Sequence, residues 1–127
     1  DATEASFDER SRAVGFIRSI LEIVQRNLER REIVRMFSIV SVEATHPGHE
    51  AHEWLRERYE RVTADYATQI VYDRARGRLP GEDDPVAVAG LVMTGWEGIQ
   101  IRWLADGTDP VAAMDQLMTA LLRPSAN

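Results

Sequence analysis

The stretch DPVAVAGLVMTGWEGIQIRWLADG, residues 84–107, decides the fold class of this chain. Asp84 offers a side chain suited to an N-cap, and Pro85 suits the first helical position, where the N–H that proline lacks has no intrahelical partner. The residues that follow are apolar almost all round, without a turn signal before Gly107. This pattern predicts a long helix from Pro85 to about Ala105 that is covered on both sides.

The rest of the chain has the same helical character. Apolar residues spaced three and four apart predict four more helices, over about 6–28, 33–44, 50–76 and 110–122. The first of these starts at a capping box, Ser6-Phe7-Asp8-Glu9. The second is apolar on more than half of its girth, which predicts burial between neighbours. Without any strand pattern, the sequence predicts an all-α fold of about five helices in an antiparallel bundle, as a single domain over residues 1–127.

Composition excludes several functional classes. The 127 residues include no cysteine, so disulfides and Cys-based zinc sites are excluded. A net charge of −6 argues against direct binding of nucleic acid by these residues. No apolar run approaches the roughly 20 residues of a membrane span, and the acidic start Asp1-Ala2-Thr3-Glu4 differs from a basic signal peptide. We expect a cytoplasmic protein that does not contact a membrane.

The apolar girth of the helix over 85–105 also predicts self-association. A helix with two apolar faces packs on its own core with one of them, and in so short a chain a second copy most simply covers the other. We therefore expect a homodimer through the last two helices. Glycines at 90, 95 and 98 either allow close approach there or fill tight internal packing. The predicted interface residues are Gln100, Trp103, Met114, Leu117, Met118 and Leu121.

Two stretches carry a resemblance to a known family. The first is VEATHPGHEAHE over residues 42–53, followed by RERY over 56–59, and the second is WEGIQIRWL over 96–104, between Asp84-Pro85 and Asp109-Pro110. In order and spacing they resemble the C-terminal domain of TetR-like transcriptional regulators over essentially the whole chain. The sequence departs from the usual pattern at Glu97, where aspartate is expected, and at Arg102, where glutamine is expected.

The resemblance implies a function for the chain. It implies an effector-binding and dimerisation domain in which a small hydrophobic molecule enters a helical cavity and shifts the long helices. It also implies a DNA-binding head with a helix-turn-helix, N-terminal to this domain and without a counterpart in these residues. DNA is then a partner only through that head, and the ligand alters the separation of the two heads of a dimer.

Candidate ligand contacts come from aromatic and polar residues on the predicted inner faces. An apolar pocket of this kind is lined by aromatic side chains with a few polar groups that orient the ligand. Ordinary core packing explains most of the aromatic residues equally well. The six predicted ligand-binding residues are Phe37, Tyr66, Met93, Trp96, Ser41 and Ser38.

Three histidines leave a third interpretation open. His46, His49 and His52 lie three residues apart, which is compatible with a metal site and a small metal-dependent helical enzyme. They straddle a Pro-Gly turn, however, and lack the two-His signature of a zinc helix, so we predict neither metal nor cofactor. Without a nucleophile-and-base pair or a phosphate loop, we also predict no catalysis. The main alternative is a stand-alone helical protein-interaction module without a ligand cavity.

Overall fold

A computed structural model describes the backbone of residues 2–123 and the side chains of residues 7–123. Its elements are α1 (Ala2–Val14), α2 (Phe16–Asn27), a 3₁₀ turn (Leu28–Arg30), α3 (Arg31–Glu43), α4 (His52–Ala75), α5 (Pro85–Asp106) and α6 (Pro110–Leu122). No β-strand occurs within residues 2–123, and the prediction of an all-α fold is confirmed. No helix in this range is long and apolar enough to cross a membrane.

The last two helices begin where the Asp-Pro pairs predict. The Asp84 carboxylate accepts the Val86 N–H at 3.1 Å, and the Asp109 carboxylate accepts the Val111 N–H at 3.0 Å. Each aspartate thus satisfies an amide that has no partner within the helix, and the proline that follows removes a second one. The starts of α5 and α6 are therefore encoded by neighbouring residues.

The segment predicted as one first helix is divided at Gly15. This residue has φ 99° and ψ 156°, a backbone conformation that only glycine adopts without strain. The chain turns there between α1 and α2. The helix also begins at Ala2 rather than at the predicted capping box, whose Ser6 side chain lies outside the described residues.

The core lies between α2, α4, α5 and α6. Its largest buried side chains include Phe16, Ile70, Met114 and Met118, and each such side chain contributes about 1.5–3 kcal/mol through burial. α5 packs closely on α6 at Gly95, where an added Cβ would collide with the Leu117 side chain. Gly95 therefore serves packing within the chain.

α3 differs from its prediction. Among its residues only Val34 is buried, although the apolar girth predicted a helix enclosed by neighbours. Its outward side carries five exposed apolar residues, which we call the α3 face: Ile33, Met36, Ile39, Val40 and Val42. The pattern correctly identified an apolar helix, but residues 7–123 supply side-chain neighbours on one side of it only.

Candidate functional site

α3 is attached to α5 by polar contacts at two levels. The Gln100 side-chain amide donates to Ser38 Oγ at 3.0 Å. Two turns away, Arg31 donates to the backbone carbonyl of Leu104 at 2.8 Å, and its guanidinium lies 5.4 Å from the centre of the Trp103 ring. Ser38 was predicted to orient a ligand and Gln100 to contact a second copy, but in the structure they bind each other.

Ser41 lies one turn further along α3 and is not satisfied. Its Oγ is buried and has no hydrogen-bond partner among the described residues. A buried hydroxyl without a partner costs about 1–3 kcal/mol. Ser41 is thus the predicted ligand-binding residue whose hydroxyl is buried on α3 and still able to hydrogen-bond to a ligand.

Phe37 contacts α4 rather than the other predicted aromatic residues. Its ring meets the Trp54 ring edge-on at 5.9 Å, and the Arg58 guanidinium lies 4.7 Å from its centre. Such cation–π contacts contribute about 0.5–1 kcal/mol at exposed sites. Phe37, Trp54 and Arg58 form a partly open apolar wall with one positive charge.

The seam between α4 and α5 contains two further polar contacts. The Tyr59 hydroxyl donates to Glu97 Oε2 at 2.8 Å, and the Thr63 hydroxyl lies 3.8 Å from the sulfur of Met93. Burial raises the pKa of Tyr59 to about 12, and the hydrogen bond and charge of Glu97 act in the same direction. Met93, a predicted ligand contact, is buried in this seam.

Tyr66 lies apart from these residues. Its ring packs on Phe7 at 5.5 Å and on Phe16 at 5.3 Å, at the end of α4 covered by α1 and α2. Twelve helical residues separate it from Trp54, a distance of about 18 Å. Burial raises the pKa of Tyr66 to about 12. Phe37 and Tyr66 therefore do not line one small-molecule site, and Trp96 packs against the core as well.

An open depression of about 330 Å³ lies elsewhere, at the corner between α1 and α2. None of the six predicted ligand-binding residues lines it. Its wall combines apolar side chains with Arg18, Asp73 and Arg78. The predicted residues and the described depression thus belong to different parts of the molecule.

The floor of this depression is a polar junction that the sequence analysis missed. The buried Asp73 of α4 accepts the N–H of Phe16, the first residue of α2, at 2.7 Å. Arg78 pairs with the same carboxylate at 3.2 Å and donates to the α1 carbonyl of Arg12 at 2.8 Å. An anion at the start of one helix and a cation at the end of another both complement the helix dipoles.

A signal for this junction was present in the sequence. Asp73 continues the inward row of α4 three residues after Ile70, so it is a charge in an apolar position. A buried carboxylate requires a partner, and Gly15 is the only glycine in the first forty residues. The identity of the partner needed the tertiary structure, because Phe16 contributes only its backbone.

The three histidines organise the turn between α3 and α4. The Nδ1 atoms of His46 and His49 accept the N–H groups of Gly48 and Ala51 at 2.9 and 3.0 Å. His52 Nδ1 lies 2.9 Å from the carbonyl of Ala44. No group of three metal-binding side chains occurs among the described residues. All three imidazoles thus bond to the local backbone.

The predicted dimer residues are mostly internal to one chain. Met114 and Met118 are fully buried, Trp103 and Gln100 are nearly so, and Leu117 and Leu121 pack against the core. The four buried residues lack the accessible surface that a contact with a second copy requires, and their assignment to the interface is corrected. Leu117 and Leu121 are only partly buried and remain predicted contacts. The exposed side of α5 carries what we call the α5 row: Leu91, Gly98 and Ile101.

Comparison with known proteins leaves the family undetermined. No protein-family model, no curated protein and no solved structure matches the chain. Functional inference therefore rests on the contacts described above and on the resemblance carried by residues 42–59 and 84–110.

Proposed function

We propose that this chain is the effector-binding and homodimerisation domain of a TetR-like bacterial transcriptional regulator, acting in the cytoplasm by binding and not by catalysis. The observation that carries the proposal is the pair of apolar faces on α5. One packs in the core, while Leu91 and Ile101 stay exposed on the α5 row. A helix of this kind typically covers its second face with another subunit. Gly98 has open space around it, which permits close approach.

The α3 surroundings support the effector-binding part of the proposal. Phe37, Trp54 and Arg58 offer an apolar wall with a cation, and the unused hydroxyl of Ser41 lies on the same helix as Phe37. This combination suits a small apolar molecule that carries an acidic or hydrogen-bonding group. Polar contacts attach α3 to α5, and Val34 is the one buried residue of α3, so movement of α3 within one chain requires little loss of packing.

The proposed mechanism couples this movement to DNA binding. A ligand that binds more tightly when α3 is displaced shifts the population towards that state. In a dimer the displacement changes the separation of DNA-binding heads attached N-terminal to α1, and heads about one DNA turn apart fit a palindromic operator. The coupling free energy equals the difference between the free energies of ligand binding to the two states.

Binding of 1-anilinonaphthalene-8-sulfonate, a fluorescent apolar anion, tests the effector site. We expect saturable binding to the 127-residue chain, weakened at least about fivefold in Phe37→Ala and Ser41→Ala because ring contact and a hydroxyl donor are lost. Tyr66→Phe is the matched control, since Tyr66 lies at the other end of α4. Equal affinity of all four proteins would exclude a site at α3.

A protein-interaction module without an effector is the second candidate function. The observation that favours it is the exposed α3 face, which the described residues leave uncovered. Sedimentation velocity separates the two candidates. A chain that stays monomeric at about 200 µM and binds no apolar probe fits the interaction module, because a dimer with a Kd above that concentration is held by less than about 5 kcal/mol.

A further inference from the structure

Ile39 of the α3 face and Ile101 of the α5 row lie next to each other. Ser38 bonds to Gln100 and Arg31 to the carbonyl of Leu104, so residue numbers rise along α3 as they fall along α5, and the two helices are antiparallel. Ile39 and Ile101 each follow one of the bonded residues. A step of one residue turns the side chain by about 100°. In antiparallel helices this step carries both residues to the same side of the seam.

Burial agrees with this geometry. Ile39 is 51% exposed and Ile101 is 50% exposed, whereas Ile99, on the opposite side of Gln100, packs against the core. Phe37, on the opposite side of Ser38, likewise packs against α4. The outer side of the α3–α5 seam is therefore apolar on both helices.

Area distinguishes this combined surface from either part alone. Leu91 and Ile101 of the α5 row expose on the order of 200 Å², far below the roughly 800 Å² per partner of a stable interface. On the Ile101 side of the seam, Met36, Ile39 and Val42 of the α3 face add on the order of 300 Å², because Ile33 and Val40 point away from α5. The total of about 500 Å² corresponds to the apolar part of an interface of about 800 Å² per partner, of which roughly 56–65% is apolar. The polar outward residues of α6, among them Asp115, Gln116 and Thr119, suit the rim of such an interface.

We propose that the α3 face and the α5 row form one interface and that a second copy of this chain covers both. The inference rests on the proposed homodimer and extends it to a helix outside the last two. A two-fold symmetric contact places the same surface on each partner, so one set of residues supplies both sides. It also joins the helix next to the effector site directly to the dimer contact.

Sedimentation velocity on three single variants tests the interface. Ile39→Glu introduces a charge into the α3 face, and Ile101→Glu does so in the α5 row. Val71→Glu is the matched control, because Val71 is 51% exposed on α4, outside both surfaces. We expect the dimer Kd to rise at least about 30-fold in the first two variants and less than about twofold in the control. Circular dichroism verifies that each variant is folded.

The outcomes separate this inference from the proposed homodimer. If Ile39→Glu dimerises like the wild type while Ile101→Glu does not, the α3 inference is wrong and the α5 dimer stands. If Ile39→Glu dissociates and Ile101→Glu does not, the α3 face is the interface and the assignment to α5 fails. A wild-type chain that is monomeric at about 200 µM overturns both proposals. If Ile39→Glu is unfolded, Val42→Glu takes its place.

Oxidation of methionine by hydrogen peroxide gives an independent readout. Met36 is 64% exposed on the α3 face, whereas Met93, Met114 and Met118 are buried and serve as internal references. We expect the oxidation rate of Met36, measured by mass spectrometry, to fall at least about threefold between one tenth and ten times the dimer Kd. A rate that is independent of concentration while the wild type dimerises contradicts the inference.

Discussion

Substituting Asp73 by alanine removes the carboxylate that accepts the first N–H of α2 and pairs with Arg78. The Phe16 amide is then buried without an acceptor, which costs about 1–3 kcal/mol. Loss of an anion at the positive end of a helix adds about 0.3–1 kcal/mol. Arg78 is partly exposed, so its ion pair contributes at most about 1 kcal/mol. We expect a loss of about 3 kcal/mol from a total stability of about 5–15 kcal/mol.

Urea denaturation followed by far-UV circular dichroism measures this loss. Asp73→Asn retains an oxygen that accepts the Phe16 N–H but lacks the charge, so its expected loss is smaller, about 1–2 kcal/mol. Asp115→Ala, at an exposed aspartate on α6, is the control and is expected to stay within about 0.5 kcal/mol of the wild type. If Asp73→Ala is no less stable than Asp115→Ala, the carboxylate does not cap α2 and the reasoning is refuted.

Three further predictions concern backbone, packing and pH. Gly15→Ala is expected to lose about 1–3 kcal/mol of stability in the same urea assay, because alanine is strained at the positive φ of this position. The added Cβ meets only ordinary contacts, so no steric clash contributes. A neutral substitution would contradict the glycine-only conformation. A Cβ added at Gly90 meets open space, so Gly90→Ala is expected to gain about 0.5–1 kcal/mol of stability. A Cβ added at Gly95 must displace Leu117, so Gly95→Ala is expected to gain less or to lose stability. Equal urea midpoints of the two variants would disprove the close approach of α5 and α6. Burial raises the pKa of Tyr66 from 10.0 to about 12, so the unfolded chain releases this proton first and stability falls between these pH values by up to about 1.4 kcal/mol per pH unit. Tyr66→Phe is expected to reduce that fall in urea titrations at pH 9 to 12, and an unchanged slope would contradict burial of the hydroxyl.

Features encoded by neighbouring residues were predictable from the sequence. Asp84-Pro85 and Asp109-Pro110 fixed the starts of α5 and α6, because an N-cap acts within three residues. The break at Gly15 was not predictable in this way. Apolar spacing continues through it from Val14 to Ile17, and periodicity reports which side of a segment is buried, not the backbone angles at one residue.

The candidate site was predictable only in part, for a different physical reason. Both rows of α5 are apolar, so the sequence identified a helix with two apolar faces but did not separate the core row from the exposed one. Gln100 and Trp103 consequently entered the predicted interface, although they are buried and the exposed apolar positions of α5 include Leu91 and Ile101. Phe37 and Tyr66 were grouped because both are aromatic. Phe37 packs near the start of α4, at Trp54, whereas Tyr66 lies near its other end, and this separation depends on which helices pack at each end.

The cap of α2 comes from a residue 57 positions later in the chain. The caps of α5 and α6 come from the residue next to each helix, whereas the first turn of α2 is complete only after α4 has docked. Closing so long a loop places this contact late in folding. Damage at Asp73 is therefore expected to accelerate unfolding more than it slows folding. The corner between α1 and α2 is then expected to form late in folding and to open early in unfolding.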